Sequence, residues 1–502
     1  MKKIVLYIAT AIFLVGCEGR LELDNPNDIS DASFWKTEDH FMQALASAYA
    51  PLRNFNSGYY STRGIQMRNI RADDITLRND VYAMYQIYTF QNDGDNTWIS
   101  QMFRQCYSGI YRVNSIIQEI EGKNFSNEFV SSVLGDAYFL RGLYNFILAK
   151  EFGSVPLRVK ASQFKDDYLL EKSPVEAVYL QAENDFKQAA EYLPQKAVAP
   201  ERPSRAAAIA FLGKVQVYQE KWGEAKNTLI ALTQSPYSFE LVQDYTWNFD
   251  EEHEYNSECI FEISHTNVGG NSMWSDESSS TLMSHAAAKE FAPAEVDGWY
   301  ESDVTRHILD YFLEEKDVKG NTDIRVINSV AWDYEGCIFY LKPFREALNN
   351  VETSINRIWM KKYSHCFVWE SELIAESFIN ERAFRYVDVL LLLAEAQLNS
   401  GEPDKAIDNL NIVRTRANLK LLGKGISNTD IKNDIIRQRA IEFLREGERF
   451  YDLRRWGLLD EAIASVSETR SANFRNGDFY YFPIPNSELQ TNTICTPNKN
   501  GR

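Results

Sequence analysis

The feature that most constrains this chain is a spacing of apolar residues at intervals of three and four, interrupted by small residues and turn signals. From Phe34 onward, Phe41, Leu45, Ala48, Tyr49 and Leu52 mark one apolar face of a helix. The same spacing predicts a helix from Trp98 to Ile120 and another from about Val130 to Phe152, with Leu134, Ala137, Tyr138, Arg141, Tyr144 and Leu148 in register. Gly153 and then Pro156 follow in the order that stops a helix. Such a chain is mostly α.

Later stretches look like tetratricopeptide-type helix pairs. Pro174 to Leu193 is followed by a helix capped by Ser204 and running to Tyr218, then by Trp222-Gly223-Glu224-Ala225. Phe384 to Leu398 is followed by Gly401-Glu402-Pro403-Asp404-Lys405-Ala406. In both pairs a small residue before the turn and an alanine after it allow close helix approach. The repeats are too interrupted for a solenoid. They read as a scaffold over about 34–233 and 382–460 of a single domain spanning 34–502. Between them, about 234–381, the character changes. Gly269-Gly270, Ser278 to Ser280 and Pro293 punctuate it, and Cys259 to Ser264 and Ile355 to Lys361 look like short strands. Trp274, Trp299, Trp332, Trp359 and Trp369 lie here. This aromatic, loop-rich region packed on the scaffold is where binding residues are expected.

The first residues form a separate unit. Lys2 and Lys3, the apolar run Ile4 to Val15 and the small Gly16 make a secretory signal. Cys17 stands at the cut, where the pattern resembles the lipobox of bacterial lipoproteins. The resemblance implies removal of residues 1–16 and acylation of Cys17, with 17–33 as a lipidated tether. Removal leaves 502 − 16 = 486 residues, ample for a large core. The net charge of −18 argues against nucleic acid and against adhesion to anionic lipid, both of which need Lys and Arg clusters. Attachment to a membrane therefore falls to the lipid. Cys106, Cys259, Cys337, Cys366 and Cys495 are odd in number, widely spaced and without a CxxC pair, so they read as buried small hydrophobes.

Several segments together resemble the SusD/RagB family of outer-membrane nutrient-uptake lipoproteins. They are Cys17 with Leu21-Glu22-Leu23-Asp24-Asn25-Pro26, Ser33-Phe34-Trp35-Lys36-Thr37-Glu38, Leu140 to Tyr144 through Phe152-Gly153 and Val155-Pro156-Leu157, and Arg385 to Ala396. Arg439-Ala440-Ile441-Glu442-Phe443, the run Glu446-Gly447, Arg449, Asp452-Leu453, Arg455-Trp456, and Phe482-Pro483-Ile484-Pro485 complete the set. One departure is Val387, where the family often has alanine. The resemblance implies a SusD-like fold and a glycan-binding lipoprotein at the outer membrane. It also implies a SusC-like TonB-dependent transporter beneath, over which this protein closes as a lid on captured oligosaccharide, without a cofactor. Some relatives handle oligopeptides, which is the alternative cargo.

No HExxH, GxSxG, P-loop or GxGxxG is present, and the six histidines are scattered. Glu446, Arg449, Asp452 and Arg455 sit at helical spacing and read as an ion-pair network on a C-terminal helix, not as an active site. A surface glycosidase would need two carboxylates about 5–10 Å apart, and nothing singles out such a pair; a structural adaptor would need a protein groove. Asn92-Asp93-Gly94-Asp95-Asn96 lacks the following glutamate of a calcium loop and reads as a turn, with no metal. A sugar ring has apolar faces and polar edges, so its site needs flat aromatic rings beside fixed polar groups. The candidates are Trp98 with Asn96 and Gln101; Trp274 after Gly269-Gly270; Trp299 and Tyr300 after Asp297-Gly298; Trp332 and Tyr334 around Asp333; and Arg78 and Asp80 in the loop preceding Trp98. Some of these tryptophans are expected to be core.

Overall fold

Side-chain caps fix where the helices of the scaffold begin. In the computed structural model, which describes residues 34–162, 164–266, 283–477 and 479–498, Thr37 caps helix α1 (Glu38–Tyr49) by accepting from the His40 backbone N–H. Then come α2 (Thr62–Asn69), strand β1 (Ile75–Leu77), α3 (Tyr82–Tyr88) and the long α4 (Thr97–Ile120). The Asn96 side chain caps α4, accepting from the backbone N–H groups of Trp98 at 3.1 Å and Ile99 at 3.4 Å. Ser126 caps α5 (Asn127–Phe152), which ends at Gly153 with φ +70°, a conformation glycine adopts without strain.

The helix pairs follow. Helices α6 (Val175–Tyr192), α7 (Arg205–Tyr218) and α8 (Trp222–Ile230) pack in sequence, with Ser204 capping α7 through the Ala207 N–H at 3.3 Å. Gly213 of α7 lies against Leu229 of α8 so closely that a Cβ there would sit 2.4 Å from a leucine methyl. Ala225 is fully buried in the same seam. Strand β2 (Cys259–Ile263) then runs across the scaffold. Its partner β5 (Glu381–Arg385) lies beyond the short strands β3 (Ser302–Val304) and β4 (Trp359–Met360), and leads directly into α9 (Tyr386–Asn399). Edge-to-face phenylalanines tie this strand pair to the helices: Phe139 to Phe261 at 4.8 Å, Phe211 to Phe384 at 5.1 Å. Helix α9 is buried from Tyr386 to Leu398 and packs on α8 and on α10 (Pro403–Arg416). The fold is therefore the mostly helical one that the spacing predicts.

Three expectations need correction. Phe384 and Arg385 are extended, not helical, because their backbone belongs to the antiparallel pair with β2. Ile355 to Lys361 is not one strand: Ile355 ends a short helix, Glu352–Ile355, and only Trp359 and Met360 pair, with Val330 and Ala331. The loop-rich region also holds regular pieces, such as the capped amphipathic helix Arg306–Leu313. Cys17 and Trp274 lie outside the described residues. Of the five other cysteines four are buried, Cys259 is half-buried, and all are free thiols.

The C-terminal charges form a network between elements, not along one helix. Helix α11 (Asn428–Glu442) precedes α12 (Arg449–Arg455), and Glu446 lies in the turn between them. Arg385 donates to Glu446 at 2.7 Å and Glu258 at 2.6 Å, all three being buried. Arg449 reaches Asp73 at 2.8 Å, Arg439 bridges Asp388 and Asp452, and Arg455 holds Glu395. Of Glu446, Arg449, Asp452 and Arg455, only Asp452 and Arg455 pair with each other within a helix turn. These ions hold the scaffold together, which accounts for the motif without chemistry.

Candidate functional site

The register of β1 and β3 brings two distant loops together. Ile75 faces Val304, Thr76 faces Asp303 and Leu77 faces Ser302. Continuing the ladder by one step, the Arg78 backbone N–H donates to the Glu301 carbonyl at 2.7 Å. Arg78 and Asp80 therefore stand beside Trp299 and Tyr300, although more than 200 residues separate them in the chain.

Arg78 organises the cluster. Its Nη1 donates to the Trp299 carbonyl oxygen at 2.8 Å, its Nε to Asp80 at 2.5 Å, and its guanidinium carbon lies 4.0 Å from the Tyr300 ring centroid. Tyr300 is 39% exposed, has φ +43°, and presents its ring at the surface; Trp299 is half-buried against Phe55 and Ala286. A backbone at positive φ in a bulky residue is strained, and such strain concentrates at functional loops. Asp80 is exposed, and so is Tyr82, one residue into the next turn.

A second layer carries Trp98. Arg63 of α2 donates to Glu290 at 2.7 Å and to Glu301 at 2.5 Å, and Gln66 donates to the same Glu301 oxygen at 2.9 Å. The Arg63 guanidinium lies 5.8 Å from the Trp98 ring centroid. Burial lowers the Arg63 pKa, but the charges of Glu290 and Glu301 outweigh this and hold it above its ordinary value. Arg63 is thus a fixed cation between the Trp98 ring and the strand end that carries Tyr300. Nothing in its sequence neighbourhood singled it out.

The remaining candidates divide. Asn96 is buried, and both ends of its amide are committed, the oxygen to the α4 cap and the nitrogen to the Ala83 carbonyl at 2.8 Å. It positions Trp98 and does not face a ligand. Trp332 is 7% exposed and packs on Tyr334 at 4.2 Å, so its ring is core and not an open platform. Tyr334 is half-buried, and Asp333 between them pairs with Arg345. Gln101 faces a groove of about 910 Å³ along α4, one turn past Trp98. Trp247, which sequence reasoning passed over, is exposed and stacks on His253 at 4.5 Å. Among the described residues no group of three or more metal-ligating side chains converges, and no helix is long and apolar enough to cross a membrane.

Comparison with known proteins gives these features a frame. Residues 257–500 match the SusD family profile, and residues 22–217 match a profile described as starch-binding, associating with outer membrane. A crystal structure of a SusD superfamily protein from Bacteroides vulgatus superposes with a TM-score of 0.86 at 45% identity, covering 93% of this chain and 100% of that one. A laminarin-binding SusD-like protein shares the fold, with a TM-score of 0.75 at 23% identity over 92% of this chain and 99% of that one. SusD-like protein P2 of Formosa agariphila is 24% identical over the full length of both chains. By sequence match along both halves and by superposition over nearly its whole described length, this chain belongs to the SusD family.

Proposed function

We propose that this protein captures oligosaccharide at the cell surface and delivers it to a SusC-like TonB-dependent transporter, held at the outer membrane by acylated Cys17. The observation that carries the sugar reading is the Arg78–Tyr300 cluster. A half-exposed ring, fixed by a guanidinium on its face, sits beside an exposed carboxylate at Asp80. A pyranose stacks its C–H face on such a ring while its hydroxyls reach Arg78 and Asp80. Trp299 and Trp98 are the further rings assigned to this site, with Gln101 at its margin. The profile describing starch binding and the laminarin-binding relative support glycan as the cargo class.

Delivery follows from tethering. A lipid anchor and a docked transporter raise the effective concentration of ligand at the channel mouth, so modest affinity suffices. The chemistry required is binding alone. Calorimetry of the mature protein against neutral glycans, with Tyr300→Ala and Arg78→Ala beside wild type, tests the reading; a broad panel without binding overturns it. Cys17→Ser is expected to release the protein from the membrane fraction, and retention there would overturn the anchor.

A further inference from the structure

Helix α4 carries more than the Trp98 turn. Gln101, Arg104, Ser108 and Tyr111 recur at three and four residues along it and form one wall of the groove of about 910 Å³. The opposite wall is formed by Arg158, Ser162 and Tyr168 together with Glu488 of helix α13 (Asn486–Thr491). A second hollow of about 850 Å³ shares Arg158 and Ser162 with the first and continues the path to Gln118 and Phe164. From Gln101 to Gln118 the helix rises about 26 Å. The composite is a trough long enough for several sugar rings.

Its lining is unlike a plain solvated helix face. Tyr111 is 53% exposed, Tyr168 52% and Phe164 72%, so three large rings stand open along the trough. Tyr107 is fixed, its hydroxyl donating to the Pro156 carbonyl at 2.6 Å. Arg158 braces the far wall, donating to the carbonyls of Asp167 at 3.1 Å and Tyr168 at 2.8 Å, with Glu488 at 3.6 Å. Arg104 is exposed, with no ion-pair partner among the described residues. Open rings and ready donors are the combination that sugar faces and edges require. In the first hollow the charges balance, Arg104 and Arg158 against Asp95 and Glu488, so the trough has no cationic excess to select a polyanion.

We infer that this trough is a second glycan surface, which takes a neutral polysaccharide chain beyond the units held at the Arg78–Tyr300 cluster. It rests on the glycan reading above. One strand of polymer then touches both sites, and the second contact is intramolecular. The cluster sets which sugar is recognised; the trough favours long chains over short ones.

The test uses the mature full-length protein in affinity gels containing laminarin, soluble starch and other neutral polysaccharides, with calorimetry on short oligosaccharides of whichever polymer retards wild type. The double variant Tyr111→Ala/Tyr168→Ala alters exposed side chains only. It is expected to keep short-oligosaccharide affinity within about twofold and to lose about tenfold or more on polymer. Polymer retardation equal to wild type overturns the trough and leaves the cluster's function standing, as does loss of transporter co-purification with polymer binding intact. Equal loss on short and long ligands overturns the division into two surfaces. Preference for an acidic polysaccharide overturns the neutral-chain assignment. No retardation of wild type on any polymer overturns both readings together.

Discussion

The guanidinium of Arg78 lies 4.0 Å from the ring centroid of Tyr300, and the two are joined by the ladder that pairs Ile75–Leu77 with Ser302–Val304. The ring is thereby held at the surface with a charge on one of its faces. On the glycan reading proposed above, the opposite face is the one left for a sugar.

Removing either partner should weaken glycan binding. Tyr300→Ala is expected to cost about tenfold or more in Kd, or ~1.4 kcal/mol. Arg78→Lys should not rescue Arg78→Ala, because an ammonium cannot reach the Trp299 carbonyl, Asp80 and the ring face with one planar group. Calorimetry on the three variants checks this. Full affinity in Arg78→Lys would show that charge alone suffices.

Stability should fall in alkali through one histidine. His365 lies 2.6 Å from Glu372 and 3.1 Å from Glu251. Burial lowers its pKa, but hydrogen bonds to both carboxylates win and raise it to about 9 from 6.5. A raised folded pKa means stabilisation that is complete below about pH 6.5 and lost as pH rises through about 9, amounting to ~3 kcal/mol. Urea midpoints at pH 6 and pH 9.5 measure it, and His365→Gln should flatten that difference.

The charge network should be sensitive to removal of one member. Arg385→Met leaves Glu258 and Glu446 buried without their main cation. A loss of about 3–5 kcal/mol is expected. A shift in denaturant midpoint reads it. An unchanged midpoint would mean that Arg416 and Lys362, which also reach this group, carry the balance alone.

The seam between α7 and α8 should reject a side chain at position 213. Gly213→Val places carbon well inside contact distance of Leu229. Overpacking of this kind costs about 1–3 kcal/mol. Gly223→Ala, where nothing lies within 4 Å of the added carbon, is the neutral control.

Much of the scaffold was legible because it rests on local signals. The cap at Ser204 and the stop at Gly153 are read within four residues of sequence, and the helices begin and end there. Arg385 was misread because its fate is set by a strand more than 100 residues away. The candidate site was legible in part. Arg78, Asp80, Trp299 and Tyr300 were each nameable as loop residues beside turn signals, but their meeting depends on register, which no local pattern carries. Asn96 and Trp332 fell to commitments invisible in sequence, one to a helix cap and the other to the core. Arg63 could not be found from spacing, since its partners Glu290 and Glu301 lie more than 220 residues away.

Contacts of that span bear on how the chain matures. Arg71 near the start holds Glu151 and Tyr451; Asn69 accepts from the Gly447 backbone; Arg68 donates to the Glu446 carbonyl. Apart from Arg71 to Glu151, these cannot form until about nine-tenths of the polypeptide has been made. Closing loops of that size is entropically expensive and slow. The closure of the chain's start onto its end therefore stays open for most of synthesis, the threadable condition that the export proposed above would require.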